Sequence, residues 1–373
     1  MDPLRRRNAR PDFGGWPDLP PELLEGIMKL LSPLDRVTVR LVCSSWRTCA
    51  RASFPSDLPF DGPRLLLRRP GPGGILAFFS LRRRQILPFA LPSRLSAARC
   101  CGHLGGWLAM AFDDDREIAL CNITSGESVP IPRPPVFPVA KIVLSAPPTS
   151  PGWVVAVLGR SGTIALLQTQ PEGGRWMTLE EQGARHGGFE DMAIWRGRLC
   201  ALGSDGTVVA YRVSLRARVA AVSVLRAAQH PVGYAVAVAA GQQRVRGRLC
   251  MYLVVDRSGE LVVVRREYVV RQDAVEVEVE VFRFAAEERK WEAVEELGGQ
   301  ALFVGSVASL GTAGGSETGI RENCVYMARR EVEMMVPHAI GVYSLAEEEV
   351  AALAISGGHS ATVEPVWINP SLA

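Results

Sequence analysis

The chain has 373 residues, of which 47% are hydrophobic and 22% charged, and its formal net charge is +3. This length allows one large domain and a small one, and the composition excludes a disordered or a fibrous protein. The slight positive charge argues against a nucleic-acid partner, which needs concentrated basic surface. Only three of the 42 basic residues are lysines (Lys29, Lys141 and Lys290), an imbalance that codon bias explains as readily as function does.

Residues 1–15 predict a disordered tail. The tail carries the charged run Arg5–Arg7, but no apolar segment follows as in a secretory signal, and no later apolar run approaches the ~20 residues of a membrane span. We therefore expect a cytoplasmic or nuclear protein without a membrane partner. Eight cysteines, none in a CxxC pair, are expected to behave as small apolar residues in such a reducing compartment.

The next segment, residues 16–55, reads as two or three short helices. Five apolar residues recur at helical spacing behind two prolines: Leu23, Leu24, Ile27, Leu30 and Leu31. Ser32 before Pro33 predicts the start of a second helix, and the pattern breaks near Cys43. A segment this small cannot bury its own apolar residues, so either the rest of the chain or another protein must cover them.

Within this segment, residues 16–50 resemble an F-box, the module that attaches substrate receptors to the Skp-type adaptor of cullin-RING ubiquitin ligases. The resemblance rests on "LPPELL" at Leu19–Leu24 and "LVCSSWR" at Leu41–Arg47. It implies that an apolar face docks into the adaptor. The adaptor-binding residues that it implies are Leu19, Pro20, Leu23, Leu24, Ile27, Leu30, Leu31, Leu41, Val42, Cys43 and Trp46.

From residue 64 to residue 370 the chain reads as short strands and tight turns. Four glycine turns, at Gly126, Gly162, Gly206 and Gly259, precede apolar runs at separations of 36, 44 and 53 residues. These separations are close to the length of a four-stranded propeller blade. The segment "RGRLC" occurs twice, and Trp176 and Trp291 lie in similar surroundings. The pattern favours six blades, with seven as the alternative; a pair of non-repeating β-sandwiches is the other fold considered.

This region also resembles the C-terminal part of plant F-box proteins whose kelch-like β-propeller is poorly characterised. The segments that carry the resemblance are Phe189–Tyr211, Leu297–Gly305, Arg321–Ala328, Gly341–Leu345 and Val366–Pro370. The expected fold is therefore mainly β: a small α-helical F-box at residues 16–55, followed by a kelch-like β-propeller at residues 64–370. The last of these segments, "VWINP", is expected to complete a blade.

Few residues suggest chemistry. The five histidines are far apart, without the spacing of metal ligands, and no nucleophile, phosphate-loop or dinucleotide motif is present. Asp113–Asp115 reads as an exposed hairpin tip, and Gln242–Arg248 as an enlarged loop. "VEVEVEVF" at Val275–Phe282 alternates as a strand with one wet side. We expect no enzyme activity, no cofactor and no metal.

The resulting hypothesis is a substrate-recognition subunit of a Skp-cullin-F-box ubiquitin ligase. Its F-box would bind the adaptor, and its propeller loops would bind a target protein. Two alternatives stay open: an F-box scaffold without a degradative role, and a propeller that binds carbohydrate or acts as an enzyme. The target and the loops that bind it cannot be read from one sequence, because a fold does not specify function.

Overall fold

Strands dominate the structure, a computed structural model that describes residues 16–31, 39, 42–53, 63–68, 76–82, 84–88, 98–112, 115–123, 125–168, 174–179, 188–212, 220–226, 238–239, 242–271, 274–316, 318–328, 340–353 and 365–369. In this part of the chain, no helix has both the length and the apolar character needed to cross a membrane.

The helical module contains a 3-10 helix at Trp16–Asp18, α1 at Pro21–Leu30 and α2 at Ser44–Ser53. Proline occupies the first position of α1, where its missing N–H costs no hydrogen bond. Glu22 in the first turn and Lys29 in the last complement the helix dipole. The start of α2 directly after Cys43 agrees with the predicted break, whereas the helix start predicted at Ser32 lies outside the described residues.

Four buried residues form the core of this module: Leu24, Met28, Val39 and Ala50. Trp46 of α2 packs against this cluster, and its indole N–H donates to the Trp16 carbonyl at 2.8 Å. The two tryptophan rings meet edge to face with centroids 6.4 Å apart. Trp46 thus ties the start of the module to its last helix.

The strands of the described residues form six sheets, which we number as blades in chain order. Blade 1 contains β1 (Arg64–Arg68), β2 (Leu76–Ser80) and β3 (Gln85–Pro88). Blade 2 contains β4 (Arg99–Leu104), β5 (Trp107–Phe112), β6 (Glu117–Asn122) and β7 (Ser128–Ile131). Blade 3 contains β8 (Val139–Leu144), β9 (Val154–Gly159), β10 (Ile164–Gln168) and β11 (Arg175–Thr178).

The second half of the chain supplies the other three blades. Blade 4 contains β12 (Phe189–Trp195), β13 (Arg198–Gly203), β14 (Thr207–Arg212) and β15 (Ala220–Arg226). Blade 5 contains β16 (Val238–Ala239), β17 (Gln242–Val255), β18 (Leu261–Arg271), β19 (Ala274–Ala285) and β20 (Lys290–Ala293). Blade 6 contains β21 (Gln300–Val304), β22 (Leu310–Ala313), β23 (Cys324–Ala328), β24 (Ile340–Ser344) and β25 (Glu349–Ala352). The last strand, β26 (Val366–Ile368), belongs to blade 1.

Apolar clusters join each blade to the next. Phe78 of blade 1 packs in one cluster with Met110 of blade 2, and Phe303 of blade 6 packs in another with Trp367 of blade 1. Four further clusters join blades 2 to 3, 3 to 4, 4 to 5 and 5 to 6. The six sheets therefore form a closed ring, which confirms a propeller with six blades and rules out the pair of β-sandwiches.

The carboxyl-terminal strand closes the ring. β26 pairs antiparallel with β1 and places Trp367 opposite Leu65, so blade 1 is built from both ends of the propeller. Just beyond β26, the Asn369 backbone N–H donates to His103 Nε2 of blade 2 at 3.2 Å. The prediction that "VWINP" completes a blade is confirmed.

The first strands of blades 2, 3 and 4 (β4, β8 and β12) pack beside one another, and we call them the inner strands. The pairing of each with its neighbour shifts by one residue: between Cys100 and Gly102, between Val139 and Lys141, and between Phe189 and Asp191. A side chain on Gly102 would lie 1.9 Å from the Ile142 carbonyl oxygen, so only glycine allows this approach of β4 to β8.

The four predicted glycine turns exist, and each glycine has a positive φ. Gly126 lies between the third and fourth strands of its blade, however, whereas Gly162 and Gly206 lie between the second and third. Gly259 joins β17 to β18, and β17 packs beside the inner strand β12, so this turn follows the innermost strand of its blade. The four turns therefore occupy three different places in their blades, and their separations do not measure the blade repeat. Trp176 and Trp291 do occupy equivalent places, on the outermost strands β11 and β20.

Candidate functional site

The candidate site is an uncovered apolar side of α1. Leu23, Ile27 and Leu30 are 60%, 38% and 89% exposed, and their spacing of four and three residues puts them on one side of the helix. We call these three residues the docking stripe. Leu24 and Met28 point instead into the module's core. The helix is therefore apolar on two sides, of which its own module covers only one.

The residues predicted to bind the adaptor differ in their exposure. Leu24 is only 1% exposed, so its side chain packs within the module and presents no surface to a partner. The Leu41 side chain lies outside the described residues. Pro20, Leu23, Ile27, Leu30 and Val42 are exposed, and Leu19, Leu31, Cys43 and Trp46 are half-buried. Trp16, at 72% exposure, was not predicted, although an aromatic residue just before a Leu-Pro pair is a visible signal.

The third side of α1 is charged. Lys29 Nζ lies 2.9 Å from Glu25 Oε1, one helical turn earlier, and both side chains are exposed. Among the residues that the structure describes, the apolar cluster of the module contains residues of the module alone. The docking stripe therefore lies between a packed side and a solvated side, which is the arrangement of an amphipathic helix ready for a second partner.

Blade 5 carries the largest extension of the propeller. Its strands β17, β18 and β19 have 14, 11 and 12 residues, whereas strands in the other described sheets have at most seven. The backbone of residues 242–248 belongs to β17, so the enlarged loop predicted there is wrong. In β19, Val279 and Val281 are buried and Glu280 is exposed, which agrees with the predicted alternation. The side chains of Val275 and Glu276 lie outside the described part.

Two arginines of β18 contact charged or aromatic side chains. Arg265 lies 2.6 Å from Glu280 and 3.2 Å from Glu267. Arg266, only 3% exposed, stands 5.6 Å from the Tyr252 ring centroid and 5.2 Å from that of Tyr268. Such cation–π contacts stabilise a guanidinium that has left water. The extension is therefore built from paired strands rather than from a loop, and of these charged residues only Glu280 is exposed.

A buried ion pair joins the inner strands. Lys141 Nζ of β8 lies 2.6 Å from Asp191 Oδ1 of β12, and both side chains are at most 5% exposed. The other carboxylate oxygen of Asp191 accepts from the Leu253 N–H of β17 at 2.8 Å. One carboxylate thus connects three consecutive blades.

A second ion pair corrects a prediction. Arg99 lies 2.6 Å from Asp115 Oδ1, and Asp115 Oδ2 accepts from the Val139 N–H at 2.9 Å. Asp115 is buried and has a φ of +66°, so it is not an exposed hairpin tip. Asp113 and Asp114 lie outside the described residues. Within this acidic run, the Asp115 carboxylate therefore links blade 2 to blade 3.

Burial makes the titratable groups of β4 and β13 unreactive. Burial and then the positive charge of Lys141 lower the pKa of His103 to about 4, and its Nδ1 is buried without a hydrogen-bond partner in the described region. Burial raises the pKa of the Cys100 and Cys200 thiols to about 12, which removes the reactive thiolate at neutral pH. Among the described residues, no three His, Cys, Asp or Glu side chains could together hold a metal ion.

Two family profiles match the chain. An F-box domain profile matches residues 16–53, from the 3-10 helix to the end of α2. A profile described as KIB1-4 beta-propeller matches residues 78–344, from β2 to the end of β24. The second match leaves out β1 and β26, the strands that close the ring. No curated protein sequence matches the chain.

Some solved structures are similar to the chain at low sequence identity. A functionally unknown protein from Desulfotomaculum acetoxidans is 11% identical, with a TM-score of 0.42, over 80% of this chain and 82% of that one. The S. cerevisiae complex of Dbp5 with Nup159, Gle1, IP6 and ADP contains a chain that is 7% identical, with a TM-score of 0.35, over 77% of this chain and 71% of that one. Both TM-scores are below 0.5, so neither similarity supports a conclusion about this chain.

Proposed function

Because the chain belongs to the KIB1-4 beta-propeller family and carries an F-box domain, we propose that it is the substrate-recognition subunit of a Skp-cullin-F-box ubiquitin ligase. F-box domains generally bind Skp-type adaptors. The observation that carries the proposal is the docking stripe, an apolar surface on the F-box that its own core leaves uncovered.

In this proposal the chain catalyses nothing itself. The adaptor and a cullin-RING assembly bring a conjugating enzyme, while the propeller holds a target protein beside it. The gain in rate comes from proximity, because holding two reactants together raises their effective concentration. We expect this work in the cytoplasm or nucleus. The extension of blade 5 supports a role for the propeller in protein binding, since its paired strands enlarge this sheet beyond those of the other described blades.

Adaptor pull-down tests the proposal. Leu23→Ala with Ile27→Ala removes two exposed anchors and should weaken adaptor binding at least about 30-fold, since an anchor at an interface is worth about 2 kcal/mol or more. These two positions suit the test better than Leu19 and Pro20, because Leu19 packs against the module's core and Pro20 caps α1. Val350→Ala, at an exposed apolar residue of β25, is the matched control and should leave binding unchanged.

The outcome separates the candidate functions. If the native chain recovers no adaptor, the ligase assignment is wrong. If the adaptor binds but proteasome inhibition does not change the level of a bound partner, the chain is an F-box scaffold without a degradative role. A glycan array checks the remaining alternative, a propeller that binds carbohydrate.

A further inference from the structure

The three lysines of this chain occupy different environments. All three lie within the described residues. Ubiquitin is joined to the ε-amine of lysine. A receptor that holds a conjugating enzyme nearby also exposes its own lysines to that enzyme by proximity. With so few lysines, the structure limits where such self-modification can occur.

Lys141 is not accessible. Its side chain is 5% exposed, and its amine is held 2.6 Å from Asp191 between blades 3 and 4. An enzyme-bound thioester cannot reach this amine without opening the ring.

Lys29 is exposed on the charged side of α1, where its amine lies 2.9 Å from Glu25 Oε1. The docking stripe lies on the neighbouring side of the same ten-residue helix. An adaptor docked on the stripe would therefore lie beside Lys29 and hinder the approach of the conjugating enzyme to its amine.

Lys290 is the remaining lysine. It begins β20, the outermost strand of blade 5, and its side chain is 55% exposed. Its amine contacts Glu288 Oε2 closely and lies 2.9 Å from Glu292 Oε1. Hydrogen bonds from Glu288 and then Glu292 raise the pKa of Lys290 above its ordinary value. The amine is thus accessible, but it is held in its protonated form.

We propose that Lys290 is the lysine through which this receptor is itself ubiquitinated, and that Glu288 and Glu292 slow that reaction. The inference rests on the proposed function. The ammonium of Lys290 first loses a proton to solvent. The neutral amine then attacks the thioester carbonyl that joins ubiquitin to the conjugating enzyme. A C–N bond forms, the C–S bond breaks, and the departing thiolate takes up the second proton of the amine.

A reconstituted ligase tests the site. The full chain, adaptor, cullin-RING assembly, activating and conjugating enzymes, ubiquitin and ATP are combined, and modified peptides are mapped by mass spectrometry. We expect ubiquitin on Lys290, its loss in Lys290→Arg and its retention in Lys29→Arg. The proposal would be overturned if ubiquitin were found on Lys29 or on the α-amine and Lys290→Arg did not change the amount of modified chain.

Two variants with the same change of charge test whether Glu288 and Glu292 slow the modification of Lys290. Glu288→Gln with Glu292→Gln should speed modification of Lys290 about two- to fivefold for each ion pair removed, at constant pH. Glu295→Gln with Glu296→Gln makes the same change of charge at exposed residues just after β20 and should leave the rate unchanged. Equal rates in the two variants would refute the role of the glutamates.

Labelling of the isolated chain separates this inference from the proposed function. An amine-reactive succinimide ester needs no ligase, and it should modify Lys290 faster in the Glu288→Gln, Glu292→Gln variant than in the native chain. Adaptor binding without modification of Lys290 overturns this inference alone. Failure of the native chain to bind the adaptor overturns the proposed function and this inference with it.

Discussion

Asp191 is the residue at which three blades meet. Its carboxylate binds Lys141 of blade 3 and the Leu253 N–H of blade 5, while its own strand belongs to blade 4. Two charges that have left water are tolerated only together, because the attraction between them offsets their desolvation. The pair therefore contributes little net stability, but the loss of one partner leaves the other uncompensated.

The first prediction is that Asp191→Asn lowers the free energy of unfolding by about 3–5 kcal/mol, because Lys141 keeps its buried charge. Urea denaturation measures the change. Asp205→Asn, in the half-buried turn before β14, alters a carboxylate that only accepts from the Thr207 N–H and should cost about 1 kcal/mol or less. Similar losses in both variants would refute the claim that the ion pair carries the effect.

The second prediction concerns His103, whose pKa is lowered from 6.5 to about 4 in the folded protein. Between these values the unfolded chain binds a proton that the folded protein does not, so stability falls as the pH falls from 6.5 to 4. One proton contributes at most about 1.4 kcal/mol per pH unit.

His103→Gln is the control for this pH dependence. The glutamine amide oxygen can accept from the Asn369 N–H, but it does not titrate. Denaturation of both proteins across this pH range should show a flatter dependence for the variant. Parallel curves would mean that His103 does not contribute.

At the scale of one element, α1 has two apolar sides with opposite roles. Leu24 and Met28 face the module's core, while Leu23, Ile27 and Leu30 face outwards. A core residue loses its transfer energy and leaves a cavity when it is truncated, whereas an exposed residue loses little. Adjacent leucines should therefore behave differently.

The third prediction is that Leu24→Ala destabilises the helical module by about 2–5 kcal/mol, while Leu23→Ala changes its stability by no more than about 0.5 kcal/mol. Hydrogen exchange of the α1 amides in the full chain reports this local opening. For Leu23→Ala we expect the opposite combination: adaptor pull-down should show weak binding, while hydrogen exchange of α1 stays normal. Faster exchange in both variants would contradict the assignment of two sides.

At the scale of the whole molecule, ring closure depends on one short strand. β26 covers the edge of β1 and inserts Trp367 between blades 1 and 6, where it packs against Phe303 and Tyr326. An exposed sheet edge is a template for pairing with other chains, and propellers avoid such edges by closing.

The fourth prediction is that deletion of Val363–Ala373 leaves the protein insoluble or sensitive to protease. The deletion removes β26, exposes the edge of β1 and opens the cluster around Trp367. Deletion of residues 370–373 alone keeps β26 and Asn369, and it should preserve solubility and a cooperative unfolding transition. A soluble, cooperatively unfolding form of the longer deletion would show that the ring closes without β26.

The amino-acid sequence alone was enough to predict the features that depend on neighbouring residues. The apolar spacing of α1, the break near Cys43, the positive-φ glycine turns and the alternation in β19 are all local patterns. Each reflects a geometry repeated within a few residues, either 3.6 residues per helical turn or two per strand. The resemblance of the terminal segments extended this to a propeller closed by its last strand.

Only the tertiary structure decided which apolar residues are covered and which charges meet. Leu23 and Leu24 are identical neighbours, and the packing of Val39 and α2 against α1 makes one a surface residue and the other a core residue. Lys141 and Asp191 lie 50 residues apart in the sequence. The sequence predicts that Asp115 is exposed, whereas in the structure its carboxylate accepts hydrogen bonds from Arg99 and from the Val139 N–H. The number of blades also depends on which strands pair. Burial and long-range pairing are properties of the closed ring, and no short stretch of sequence records them.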